Sequence, residues 1–93
     1  MAKLGGWNLD ELKACSLPQK AASAFIAVTS ELVGAEYEPV LYVGSQAVHG
    51  TNYCVIALQR SVTAKPETRL MKLIINDDGK GHARLASVSV IPM

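Results

Sequence analysis

Few side chains in this sequence are of the kinds that perform catalysis. The chain has two cysteines, Cys15 and Cys54, and two histidines, His49 and His82. A Cys–His nucleophile pair would need hydrogen-bond reach and a third group that orients the histidine. Cys54 lies within an apolar run, where a thiol is usually a small core residue. We therefore expect no catalytic residues and no enzymatic activity.

The acidic pair Asp77-Asp78 is the other candidate for chemistry, since paired carboxylates can transfer protons or, with His82, hold a metal ion. The pair is followed by Gly79-Lys80-Gly81, and Asp next to Gly is typical of a tight turn. The glycine spacing also differs from that of phosphate-binding loops. We expect a hairpin turn here, with no metal and no cofactor.

Composition limits the class of protein. The 93 residues are 49% hydrophobic and carry a net charge of +1, which predicts one small domain over 1–93, with 1–8 as a flexible leader. Scattered, balanced charges argue against nucleic-acid and membrane partners. The N-terminus has no apolar signal segment, so we expect a cytoplasmic protein. Two cysteines are too few for a disulfide framework, although one bridge stays open.

One helix and four strands should position these residues. Apolar residues at Ala21, Phe25, Val28 and Leu32 form a helical stripe, which Ala22, Ile26 and Val33 widen. With Ser16 as the N-cap, Pro18 in the first turn and Gly34 as the C-terminal stop, the pattern predicts a helix over 17–33. Runs rich in Val, Ile, Leu and Tyr predict strands over 37–46, 52–62, 69–76 and 82–91.

This order of elements predicts an α+β fold, with one long helix packed across a four- to five-stranded antiparallel sheet. In the second strand Tyr53, Val55 and Ala57 alternate with Cys54, Ile56 and Leu58, so both faces are apolar. Because one helix covers only one face, the other face is either an interface or a surface with scattered apolar residues.

The segment after the first long strand reads Gln46-Ala47-Val48-His49-Gly50, followed by Thr51-Asn52-Tyr53. This Gln-x-Val-x-Gly turn, after a single helix and with Gly5-Gly6 upstream, resembles the cystatin superfamily. The likeness is greatest to the stefins, its single-domain intracellular members, and it runs from Leu4 to about residue 90. The resemblance implies a cystatin-like fold and a reversible, non-covalent inhibitor of papain-like, cathepsin-type cysteine proteases.

The resemblance also implies which residues contact the protease. Leu4 would fill an apolar subsite, Gly5 and Gly6 would let the backbone pass close to the cleft, and Val48 would supply apolar contact. Gly50 would adopt a positive φ, and Gln46 would brace the turn rather than touch the enzyme. The expected contact residues are Leu4, Gly5, Gly6, Gln46, Ala47, Val48, His49 and Gly50.

The second turn departs from the family pattern, in which a Pro or Trp usually makes contact. Here it is polar, so we expect a small contribution from Asp77, Asp78, Gly79, Lys80, Gly81 and His82. His49 adds bulk and a titratable group at a variable position of the first turn that is usually small in the family. The alternative is a non-inhibitory cystatin-fold module whose apolar sheet face binds a partner or forms a homodimer. Stefin-like chains also form domain-swapped dimers by opening at the first turn.

Overall fold

The computed structural model describes Leu9 and residues 11–93. It contains a helix, α1 (Gln19–Thr29), and four strands, β1 (Ala35–Val48), β2 (Gly50–Ser61), β3 (Thr68–Asp77) and β4 (Ala83–Val90). The strands form one antiparallel sheet in the order β1-β2-β3-β4. The predicted α+β class, with one helix packed against an antiparallel sheet, is therefore confirmed. The described residues form four strands, at the lower end of the expected range.

The helix is shorter than predicted at both ends. Its N-cap is Pro18 rather than Ser16, and no side chain in the described part of the chain caps it. Pro18 is in an extended conformation with ψ 148°, and its carbonyl accepts the N–H of Ala22 at 2.8 Å. Because proline disfavours helical geometry at the preceding residue, Leu17 cannot easily extend the helix backwards. The prediction of 17–33 was wrong by two residues at this end.

The C-terminal end also differs from the prediction. The Thr29 hydroxyl donates to the carbonyl of Phe25 at 2.7 Å, and the Ser30 hydroxyl donates to the carbonyl of Ala27 at 3.1 Å. Such side-chain bonds compete with the helical ladder, and the helix ends at Thr29 with Ser30 as its C-cap. Gly34 has φ 89° but lies beyond the cap, so its assignment as the stop was wrong. With 11 residues, the helix is not the long one predicted.

The core lies between the helix and one face of the sheet. Of the predicted stripe, Ala21, Phe25 and Val28 are buried. Leu32 lies outside the helix, while Ile26 is 64% exposed and Val33 is 98% exposed, so these two do not widen the stripe as predicted. The remaining core residues are Ala24 of the helix and, from the two central strands, Tyr53, Val55, Ala57, Met71, Leu73 and Ile75.

The sheet face turned away from the helix also carries many apolar residues, although the exposed Lys72 lies among them, opposite Ile56. Leu41 pairs with Ile56, Cys54 with Ile74, and Leu58 with Leu70. These residues alternate with the core residues along each strand, so they share the opposite face. Leu41 is exposed and the others are half-buried. The sequence-based prediction that both faces of the second strand are apolar is therefore correct.

Candidate functional site

The two predicted turns lie side by side at one end of the sheet. The first joins β1 to β2, with Val48 paired to Gly50 and His49 between them. The second joins β3 to β4, with Asp77 paired to Ala83. Because Thr51 of β2 pairs with Asp77 of β3, the roots of both turns belong to the same end of adjacent strands. The structure thus brings together the residues from 46–50 and 77–82.

The backbone of the first turn depends on Gly50. Gly50 has φ 82°, a left-handed conformation that costs a glycine little and an L-residue with a side chain more. A Cβ at this position would overlap the carbonyl oxygen of Asp77 and would lie 2.9 Å from the Cα of Asp78. The positive φ expected at Gly50 is therefore confirmed, and the structure adds a second reason for glycine: direct contact between the two turns.

A chain of side-chain amides braces the first turn. The Asn76 amide nitrogen donates to the carbonyl oxygen of His49 at 3.2 Å and to the side-chain oxygen of Asn52 at 3.0 Å. The Asn52 amide nitrogen in turn donates to the side-chain oxygen of Gln46 at 3.4 Å. The Gln46 side chain thus takes part in the turn's own hydrogen bonding, as expected. Neither Asn52 nor Asn76 was singled out from the sequence as a site residue.

The first turn presents apolar surface to solvent. All residues from 46 to 50 are exposed, and the Val48 side chain, close to the tip, is 48% exposed. An aliphatic side chain held on a braced turn is suited to filling an apolar subsite, because little conformational entropy remains to be lost when it docks.

Asp78 organises the second turn. One of its carboxylate oxygens accepts the backbone N–H of Lys80 at 2.7 Å and that of His82 at 3.1 Å, and the other lies 3.0 Å from Nδ1 of His82. The Lys80 N–H is the main reason why the pKa of Asp78 is below its usual value, and the bonds and charge of His82 lower it further. Asp77 accepts the Gly79 N–H at 2.9 Å. The predicted role of both aspartates in a turn is therefore confirmed.

Other groups with potential chemistry lie apart from the two turns. Cys15 and Cys54 are free and half-buried. Cys54 lies on the sheet face away from the helix, whereas Cys15 lines an open groove of about 620 Å³ between α1 and β1. Within Leu9 and 11–93, no group of three or more His, Cys, Asp or Glu side chains could hold a metal ion. None of the helices in that part of the chain has the length and apolar character needed to cross a bilayer.

Three expected contact residues, Leu4, Gly5 and Gly6, lie outside the residues that the structure describes. Their role stays a prediction from the sequence. No family model matches this chain, and no curated protein or solved structure matches it either. The resemblance to the stefins therefore depends on the Gln46–Gly50 motif and its place in the order of elements.

Proposed function

We propose that this protein is a reversible, non-covalent inhibitor of papain-like cysteine proteases, with a stefin-like mode of binding. The observation that supports the proposal most is the fixed geometry of the first turn. Gly50 lies directly against the backbone of the second turn, and Asn76 holds the carbonyl oxygen of His49. Such a turn can enter a cleft as a rigid wedge.

In this proposal Val48 provides the apolar contact and the turn backbone blocks the cleft. Since Val48 is 48% exposed, burying the rest of its side chain contributes about 1 kcal/mol, and an aspartate there adds the cost of a buried, unpaired charge. Each 1.4 kcal/mol corresponds to about tenfold in affinity. Leu4, Gly5 and Gly6 would occupy the adjacent part of the cleft, as the resemblance implies. The polar second turn would lie at the rim and contribute little.

Papain assayed with a fluorogenic peptide substrate tests the proposal. The full-length protein should inhibit stoichiometrically at micromolar concentration or below, and activity should return on dilution because no covalent bond forms. Val48→Asp should weaken inhibition by about tenfold or more. No inhibition by the unaltered protein would refute the proposal.

Val62→Asp is a matched control for this assay. Val62 is 63% exposed, and it follows the last residue of β2, whereas the first turn precedes β2. The same valine-to-aspartate change therefore alters an exposed side chain at the far end of the sheet. Its inhibition constant should stay close to that of the unaltered protein. Equal losses for the two variants would count against a wedge formed by the first turn.

The alternative is a non-inhibitory module that uses the apolar sheet face for a homodimer. The cross-strand pairs Leu41–Ile56, Cys54–Ile74 and Leu58–Leu70 place apolar residues of three strands on this face, around Lys72, which lies opposite Ile56. A protein that leaves papain fully active, and that sediments as a dimer which Ile56→Lys dissociates, would favour this function. An inhibitor that stays monomeric at high concentration would exclude it.

A further inference from the structure

We infer that Asn76 is a positioning residue for the first turn, and that through it the root of the second turn sets the conformation of residues 48–50. Its importance for inhibition rests on the function proposed above, whereas its effect on the turn does not. Asn76 is in β3, at the root of the second turn, and is distant in sequence from the residues that it would position.

Burial singles this side chain out. Asn76 is 9% exposed, and every other buried residue of the described part of the chain is aliphatic, aromatic or methionine. A buried amide needs hydrogen-bond partners, since an unsatisfied buried donor or acceptor loses its bonds to water without replacing them. The amide nitrogen of Asn76 finds two acceptors, the carbonyl oxygen of His49 and the side-chain oxygen of Asn52.

The partner at His49 is a backbone carbonyl at the tip of the turn. His49 lies between the paired Val48 and Gly50, so its carbonyl is outside the β1–β2 ladder. The Asn76 amide at 3.2 Å therefore fixes the peptide that joins His49 to Gly50. Because the neighbouring Gly50 is already pressed against Asp77, the two contacts together restrain both sides of that peptide.

Two donor hydrogens are needed for this arrangement, and an amide supplies both. An ionised aspartate has nearly the same shape but only acceptors. At position 76 it would place an oxygen atom against the carbonyl oxygen of His49, turning that attraction into a repulsion. The Asn52 amide, by contrast, can rotate to donate its own N–H to the carboxylate, so the loss falls on the bond to the turn. Asn76→Asp therefore changes the hydrogen bonding while leaving the volume almost the same.

The first readout is made on the free protein at neutral pH, without a protease. Asn76→Asp should lower the NMR order parameters of the His49 and Gly50 amides from the rigid range near 0.85 to below about 0.6, whereas those of Met71 and Leu73 in the middle of β3 should stay as in the unaltered protein. Unchanged order parameters at His49 and Gly50 would overturn the positioning role. A uniform decrease over the whole sheet would also overturn it, since it would show only a general loosening of the fold.

Asn52→Ala is the matched second variant. It removes one acceptor of Asn76 and the bond to Gln46, but it leaves the Asn76–His49 bond in place. We expect it to disturb His49 and Gly50 less than Asn76→Asp does. This variant keeps the inference testable if Asn76→Asp does not fold. Order parameters of His49 and Gly50 that fall below about 0.6 in Asn52→Ala, although the Asn76–His49 bond remains, would contradict a dominant role for Asn76.

The second readout is the inhibition of papain. The association rate should change little, because the exposed surface of the turn is unaltered, whereas the dissociation rate should rise by about tenfold as the flexible turn loses its pre-organisation. If the unaltered protein does not inhibit papain, the proposed function fails, and the order parameters of the free protein still decide the positioning role. If it does inhibit and Asn76→Asp inhibits with the same rates, the role in inhibition is wrong.

Discussion

Gly50 and Asp77 lie in van der Waals contact, backbone to backbone, so that a single added methyl group on Gly50 would overlap the Asp77 carbonyl oxygen. This contact joins the first turn to the second. Backbone atoms of a sheet cannot rotate away as a flexible side chain does. The close approach therefore makes glycine necessary at position 50 for packing as well as for its φ of 82°.

Gly50→Ala should consequently destabilise the protein more than the same change at Gly79. Gly79 has a similar φ of 79°, but its added Cβ would meet open space. The conformational cost alone is about 1–2 kcal/mol, and this is what we expect for Gly79→Ala. Gly50→Ala should cost at least about 1 kcal/mol more, as overpacking usually does. Urea unfolding of the two variants measures the difference in their free energies of unfolding. Equal unfolding midpoints would show that the second turn can move away from Gly50 at no cost in stability.

The orientation of α1 gives a second prediction, in which two adjacent residues behave differently. Phe25 is 4% exposed and packs in the core, whereas Ile26 is 64% exposed. Phe25→Ala should reduce the free energy of unfolding by about 3–5 kcal/mol, and Ile26→Ser should change it by about 0.5 kcal/mol or less. Thermal or urea unfolding distinguishes them. A large loss for Ile26→Ser would mean that this residue is covered, as the sequence pattern had suggested.

Helical periodicity alone could not separate Phe25 from Ile26. Both belong to an apolar stripe when the helix is drawn over 17–33, because Ile26 and Val33 are seven residues apart. The structure ends the helix at Thr29, which removes Leu32 and Val33 from the stripe. The signal for that early end was present in Thr29-Ser30, whose hydroxyls bond back to the helix carbonyls, but such bonds also occur within helices.

The strands were easier to predict, because turn residues bound each apolar run. All four were found within two residues of their observed ends. The residues of the first turn were also recognisable from the sequence, as were the aspartates that form the second. Asn76 and Asn52 were not recognised as site residues. Nothing local marks Asn76, and Asn52 was noted only as part of the run that follows the turn. Their importance follows from the register of β2 with β3, which places them opposite each other.

Asp78 provides a prediction about acid pH. Its pKa is lowered in the folded protein, first by the Lys80 N–H. A group with a lowered folded pKa stabilises the fold above its unfolded value, here 3.8, and this contribution is lost as pH falls through the folded value. The second turn should therefore loosen only below about pH 4. In NMR titrations the Lys80 and His82 amides should shift in this range, and Asp78→Asn should abolish the shifts. Shifts that persist in this variant would point to another carboxyl group.

Asp78→Ala should affect the second turn without greatly affecting inhibition. Among the described residues, the Asp78 side chain bonds only to Lys80 and His82, within its own turn. Its contact with the first turn runs through its Cα, opposite Gly50. Removing the carboxylate leaves that backbone contact and the Asn76–His49 bond in place. The inhibition constant for papain should change by less than about threefold, which corresponds to less than about 0.7 kcal/mol of binding free energy. For Val48→Asp, by comparison, we expect a tenfold or greater loss of affinity. A comparable loss in both variants would assign the second turn a direct role at the protease surface.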